Sequence, residues 1–441
     1  MDALLVIAEL LQIPAIILGL IALIGLLLQR KPASEVITGT IKTVISLLII
    51  GGGTGILIAA LEPIQQMFEM GLGTSDLQTF ITFDEAVVAA VQSANVDGIG
   101  GQIGWTLLFG YAIHLLLARI TPLKYIYLTG HMIWVHAGAF AIAFASLGLN
   151  SALSVVLSSI LMGVYLTVAP AIAQPFVRKI TGDDEIAFAH GQTLLNVAAA
   201  GVGKLVGGKS KSAEEMKVPE KLNFFRDIAV STTIIMLLVA YTAAGLAIGG
   251  VGYESFVDSV GEMAGDQGWI VFTFLQAMGF VAGMLVLLYG VRMMLAEIVP
   301  AFSGIAEKLI PGSRPALDVP VLFAFAPNAL IIGLVTGVIG QIAGMGLLAV
   351  IGWAIPLPSM IAAFFASGAG AIFGNSTGGR RGAIAGGFLW GFVGWILISF
   401  AYEFEIFGGL ADLGAESLGF TVPDAIVPTI FIDLIGRAFG A

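Results

Sequence analysis

Residues 151–176 read SALSVVLSSILMGVYLTVAPAIAQPF, and Arg178 and Lys179 follow almost at once. The run holds no charged residue and no regular alternation of apolar and polar positions. It exceeds the roughly 20 residues that a helix needs to cross about 30 Å of hydrocarbon. A membrane-barrel strand would be about half as long and would alternate. The stretch therefore reads as a transmembrane helix that ends on a basic face.

Working outward from it, ten further apolar runs can be marked, at 12–29, 38–61, 100–118, 125–147, 228–250, 269–291, 324–353, 357–378, 382–402 and 425–437. The last is short, and prolines and glycines interrupt residues 323–379. The composition agrees: 441 residues, 58% hydrophobic and only 11% charged, with 58 glycines. A soluble domain carries about a quarter charged residues, and so few charges cannot cover so apolar a chain. The expectation is an all-α polytopic protein of the cell membrane, with about eleven transmembrane helices plus re-entrant segments. No polar linker divides it, so residues 1–441 form one membrane domain. The N-terminus lacks the basic region and small-residue cleavage site of a removable signal peptide.

The cations fall into a few clusters: Arg30, Lys31 and Lys42; Arg119 and Lys124; residues 178–226; Arg292, Lys308 and Arg314; Arg380 and Arg381; Arg437. Acidic residues fill the alternate connections, as Glu62, Asp84, Glu85 and Asp97, then Glu254 to Asp266, then Glu403 to Glu416. Eleven crossings put every basic cluster on one face, which the positive-inside rule makes cytoplasmic. The N-terminus is then outside and the C-terminus inside. The longest basic segment, 178–226, separates a first half, 1–177, from a second, 227–402, with an outer loop and last helix at 403–441. Five helices precede it and five follow from the opposite face, which is the parity of an inverted repeat.

Some segments do not read as plain spans. Residues 62–97 and 184–206 are too polar to cross and too apolar to be free loops, so they are expected to be re-entrant or interfacial. Gly51-Gly52-Gly53-Thr54-Gly55 and Ser367-Gly368-Ala369-Gly370 interrupt two helices, either for close packing or as an unwound backbone at a site. Ionisable groups at membrane depth cost about 2.5–3.5 kcal/mol and are functional candidates. They are His114, His131 and His136 in apolar runs, His190 beside Gln192, and Asp318 between Pro315 and Pro320. The bland alternative for each imidazole is a neutral ring bonding between helices; for Asp318 it is helix capping.

Other classes are excluded. There is no phosphate-loop motif, no His/Glu spacing of a metal hydrolase and no readable nucleophile–base pair. The chain has no cysteine, hence no disulfide, thiolate metal site or thiol nucleophile. A net charge of −10 argues against nucleic acid. No cofactor, metal ion or catalytic residue is expected.

Six motifs then make a resemblance specific: Gly39-Thr40-Ile41-Lys42-Thr43, Leu128-Thr129-Gly130-His131, Gly290-Val291-Arg292-Met293, Ala301-Phe302-Ser303-Gly304-Ile305, Leu309-Ile310-Pro311-Gly312 and Phe325-Ala326-Pro327-Asn328-Ala329. In this order the chain resembles the ascorbate-type permease subunits, enzyme IIC, of the bacterial phosphotransferase system. The resemblance implies an eleven-helix homodimer in which a core carries a small polyhydroxyl substrate past a scaffold by an elevator-like movement. It also implies two soluble partners, a IIA subunit with a phosphohistidine and a IIB subunit with a phosphocysteine. The cysteine-free chain is consistent with that division. Basic residues Lys209, Lys211, Lys217 and Lys221 are the expected docking surface.

By the same resemblance His131, His190 and Asp318 are substrate-binding residues, and Gln192 and His136 complete the expected substrate-binding set. The sequence differs from the family pattern at Val135, four residues after the motif histidine, and at Gly191, directly after the second one; the family has glutamine at both. Two readings follow: a phosphotransferase permease importing L-ascorbate or a related solute, or an ion-coupled or facilitative secondary transporter of the same fold.

Overall fold

A computed structural model of the chain describes residues 14–72, 78–216, 227–323, 325–359 and 361–439. Lys217 and Lys221 of the expected docking surface lie outside the described residues, as do residues 12 and 13 of the first apolar run. The protein is predominantly helical, and each of the eleven apolar runs falls largely on helix, although residues 125–127 form a strand and residues 324 and 360 lie outside the described ones. They occupy α1 (Pro14–Leu28), α2 (Ala33–Leu72), α4 (Ile99–Ile120), α5 (Gly130–Ala145), α6 (Ser151–Thr181), α8 (Ile228–Val251), α10 (Trp269–Leu309), α12 (Pro327–Ile351), a π-helical turn (Ala362–Ser367) continuing into α13 (Gly368–Glu403), and α14 (Pro423–Phe439). Among the described residues six helices are long and apolar enough to cross a membrane by length and composition, within α2, α4, α6, α10, α12 and the π turn with α13. Between the spans lie α3 (Asp84–Ala94), α7 (Thr193–Gly207), α9 (Tyr253–Ala264) and the single turn α11 (Pro320–Phe323).

The two interrupted segments resolve into a strand followed by a short helix. Residues 62–72 prolong α2, and then β1 (Thr79–Thr82) leads into α3; β3 (Ala187–Phe188) leads into α7. At 1.5 Å per residue the 11 residues of α3 and the 15 of α7 reach only about 16 and 22 Å. Neither crosses alone. Four more strands follow the same plan: β2 (Tyr125–Tyr127) before α5, β4 (Arg314–Leu317) before α11, β5 (Ile355–Pro356) before the π turn, and β6 (Leu418–Gly419) before α14. They assemble two parallel three-stranded sheets, β5-β1-β6 and β2-β4-β3, which the apolar pattern had not announced. Such extended links expose backbone groups that need partners at membrane depth, and mutual pairing supplies them.

The glycines divide. At Gly203, facing α13, an added Cβ would run into the carbonyl of Gly374, and at Gly378 into that of Gly203. Close approach of α7 and α13 requires both. By contrast α2 runs unbroken through Gly51, Gly52 and Gly55, where a Cβ would meet nothing within 4 Å. Those three neither interrupt the helix nor pack it inside this chain, which corrects the expected interruption, while Gly53 of the same stretch is buried. The break in the last long helix falls at Gly379, with φ 57° and ψ −149°. A side chain there would strike the carbonyls of Ser210 and Lys211.

Helices pack in two groups. α1, α2, α8 and α10 lie chiefly against one another, while α4 to α7 and α12 to α14 form the other group with both sheets. A charge clasp pins the second sheet. Asp184 accepts from Arg178 Nε at 2.7 Å, Gln174 Nε2 at 2.8 Å and an Arg314 guanidinium nitrogen at 2.6 Å, joining the end of α6 to β4. The Arg178 hydrogen bond, then that of Gln174, then the Arg314 charge hold the Asp184 carboxyl below its ordinary value.

Candidate functional site

All six strand-to-helix junctions contribute to one cavity of about 400 Å³. Asp84 and Glu85 open α3; His131 and Met132 lie in the first turn of α5; His190, Gly191 and Gln192 precede α7. Asp318 and Pro320 come from the α11 junction, Ser359 and Ile361 precede the π turn, and Thr421 and Val422 precede α14. Parallel pairing puts three junctions at one end of each sheet. Local geometry thus brings together residues up to 340 positions apart. The volume suits a small solute.

On one wall the second sheet sets the geometry. Leu128 N donates to Ala316 O at 3.0 Å, Ala189 N to Leu317 O at 2.8 Å, and the Thr129 hydroxyl to Ala189 O at 2.6 Å. These bonds carry His131, His190 and Asp318 to a common point. The two imidazole centroids lie 5.8 Å apart, and His190 Nε2 is 3.9 Å from Asp318 Oδ1, too far for a direct hydrogen bond. Asp318 Oδ1 accepts from Val319 N at 2.7 Å, so part of its capacity is spent on capping. Nδ1 of both His131 and His190 is buried without a hydrogen-bond partner. One ligand atom from each of the three residues lies within 4.8 Å of the others. The set has the donor chemistry of a metal site.

The opposite wall was not singled out as a binding surface from sequence. Asp84 Oδ1 accepts from Thr421 N at 2.6 Å, and its other oxygen accepts from the Thr421 hydroxyl, tying α3 to the α14 junction. Glu85 is buried on the cavity wall, and among the described residues no lysine or arginine forms an ion pair with it, with Asp84 or with Asp318. The acidic pair had been read only as part of an acidic connection, since one charged segment among several carries no signal of depth. Just behind, Asp424 accepts from the backbone N–H of Thr193 at 2.7 Å and of Leu194 at 2.8 Å, and from the Tyr165 hydroxyl at 2.8 Å. It caps α7 and fixes the turn that carries Gln192.

The remaining sequence candidates occupy different layers. Gln192 lines the cavity, is 1% exposed, and neither atom of its amide has a partner. His136 lies behind the wall, stacked on Tyr165 with centroids 4.2 Å apart and its Nδ1 2.7 Å from Met132 O. Val135 is buried and does not line the cavity. Gly191 does line it, and a Cβ there would collide with Val422 and come within 3.0 Å of His136. His114 is a satisfied core imidazole, with Thr167 Oγ1 at 2.8 Å and Tyr127 N donating to Nε2 at 3.1 Å. The lining offers carboxylate acceptors, the guanidinium donor of Arg292, and imidazole, amide and hydroxyl groups that both donate and accept. That is the chemistry of a site for a small hydroxylated solute.

Comparison with known proteins agrees in kind. The sequence model of the family described as EIIC-GAT, PTS system sugar-specific permease component, matches residues 9–422. The chain is also similar to the Ascorbate-specific PTS system EIIC component of Mycoplasma pneumoniae, at 28% identity over 427 residues. That match takes in 88% of this chain and 64% of the relative, so the chain spans somewhat less than two thirds of the relative's length.

Proposed function

We propose, on the premise that this chain belongs to the EIIC-GAT family of PTS system sugar-specific permease components, that it is the sugar-translocating membrane subunit of a phosphotransferase system, importing L-ascorbate or a related small polyhydroxyl solute. The supporting observation is Gln192. A buried amide with no partner costs about 1–3 kcal/mol, a penalty that a bound hydroxyl removes. His131, His190 and Asp318 bind the solute with it, and His136 steadies the wall from behind.

In this reading the chain crosses eleven times, with its N-terminus outside and C-terminus inside. It consists of two inverted five-helix halves, 1–177 and 227–402, the basic segment 178–226, and 403–441. The group holding the cavity moves as a body past α1, α2, α8 and α10, in a homodimer, and presents the solute to the cytoplasm. A IIB subunit, recharged by IIA, docks on the basic segment and phosphorylates the solute there. The added charge makes uptake one-way. The chain itself carries no covalent chemistry.

Uptake of labelled ascorbate into cells or proteoliposomes is the test. His131→Ala and Asp318→Asn should each abolish it while folded protein is retained in the membrane. Wild-type uptake by both variants refutes the site. One observation favours the alternative of secondary transport: Glu85 is a buried carboxylate on the cavity wall with which, among the described residues, no lysine or arginine pairs, as an ion-coupled carrier would use. Uptake that persists without phosphoenolpyruvate and partner subunits decides for that alternative.

A further inference from the structure

We infer that a second, basic cleft, at the other end of α7 from Gln192, binds the phosphate of an anionic phospholipid. Lys209, Ser210 and Lys211, just past the end of α7, and Arg380 and Arg381, just past the break in α13, line a cleft of about 310 Å³. Four cations meet there. Among the described residues the only carboxylate within ion-pair distance of any of them is Glu215, 4.0 Å from Lys211.

The positive-inside rule calls for cations on a face, not for their convergence. Like charges gathered in one cleft repel, and an anion relieves that. The convergence is built rather than incidental. Gly379 takes a left-handed turn into space that the Ser210 and Lys211 carbonyls leave open only to glycine. Arg380 N donates to Lys211 O at 2.8 Å, and Arg381 N to Ser210 Oγ at 3.3 Å. Asn375 holds the same loop, accepting from Ala213 N at 2.8 Å and donating to the Ser212 hydroxyl at 3.2 Å. The loop that carries the lysines is thus fastened to the helix that carries the arginines.

The flanks say which phosphate. Leu205 is 85% exposed, four residues before Lys209, and Ile384 is 51% exposed, four residues after Arg380 on the same helical face, with Phe388 one turn further. A basic cleft bordered by exposed apolar side chains matches a charged headgroup with its acyl chains. Basic pockets beside membrane helices take such lipids. A soluble phosphate would have no use for the apolar border.

The test uses the full chain in nanodiscs of phosphatidylcholine alone or of phosphatidylcholine with phosphatidylglycerol, read by native mass spectrometry and by melting. Wild type should retain phosphatidylglycerol and melt higher in the mixture. Lys209→Gln and Arg381→Gln should each cut retention about fivefold, the worth of one basic charge near an anionic surface. Equal melting in pure phosphatidylcholine shows that the variants are folded, and Arg381→Lys should restore most retention. Ile384→Ser should lower phosphatidylglycerol retention too. Unchanged retention in the Lys209→Gln/Arg381→Gln double variant overturns the proposal. So does equal stabilisation of delipidated protein by inorganic phosphate, which would make the ligand soluble. Loss of IIB binding in the double variant with lipid retention intact would assign the cleft to that subunit instead.

Discussion

Gly191 stands where the resembling family has glutamine, and the reason sits opposite, in Val422. A side chain at 191 has no room while the valine fills the space, so the two positions form one packing unit. Gly191→Gln alone should cost about 1–3 kcal/mol, the usual penalty of overpacking. Adding Val422→Ala should recover only part of it, because the Cβ that alanine keeps lies 2.9 Å and His136 3.0 Å from the new Cβ, a non-additivity that paired melts in detergent would read out. Independent penalties for the two changes would break the link. Asp84 is the second residue to probe. It is buried, and both its oxygens are committed to Thr421, so Asp84→Ala should cost about 1–3 kcal/mol through the orphaned Thr421 groups. Legibility at this scale follows contrast. His131, His190 and Asp318 stood out because each is an ionisable group in apolar or proline-broken surroundings. Asp84 and Glu85 did not, because they read as part of one acidic connection among several, and Thr421 did not, because a lone hydroxyl is not ionisable. Only the fold brings them to the same wall.

At the scale of elements, the long helices were legible because an unbroken apolar run has one cheap conformation in lipid. The strands were not. Two to four residues of strand carry too little pattern to read, and their pairing joins segments hundreds of residues apart. Glycines were legible as a class but not in role, since the neighbour across the gap decides it. Gly378→Leu should therefore unseat α7 from α13 and lower the melting temperature sharply, whereas Gly51→Ala should be neutral or slightly stabilising through helix propensity, by about 1 kcal/mol at most. Equal tolerance of the two would contradict the close crossing. The Asp184 clasp adds a pH signature. Its carboxyl is lowered on folding, so the clasp contributes fully above the ordinary value of 3.8 and is lost as pH falls through the lower folded value. Asp184→Asn should lower stability at neutral pH and remove that share of the acid-induced loss. The side chain is partly exposed, and the effect should shrink in high salt.

For the whole molecule, the decisive quantity is the side on which each loop lies, and the missing cysteines make it directly measurable. With no native thiol, any single introduced cysteine is a background-free reporter. Lys209 and Arg381 are exposed in the basic cleft, and the acidic connection between α8 and α10 offers Asp258 and Glu262 as reporters of the other face. If eleven crossings gather the cations inside, Lys209→Cys should react with a membrane-impermeant maleimide only in inside-out vesicles. Glu262→Cys should react in whole cells. The six helices long and apolar enough by themselves leave this open, because α1, α5, α8 and α14 must also cross, and the π turn with α13 must cross on both sides of Gly379, for the faces to alternate. Labelling of Lys209→Cys from outside would remove at least one of these crossings. It would then separate the basic segment from the phosphorylating partners and leave carriage without phosphorylation as the function that the cavity serves.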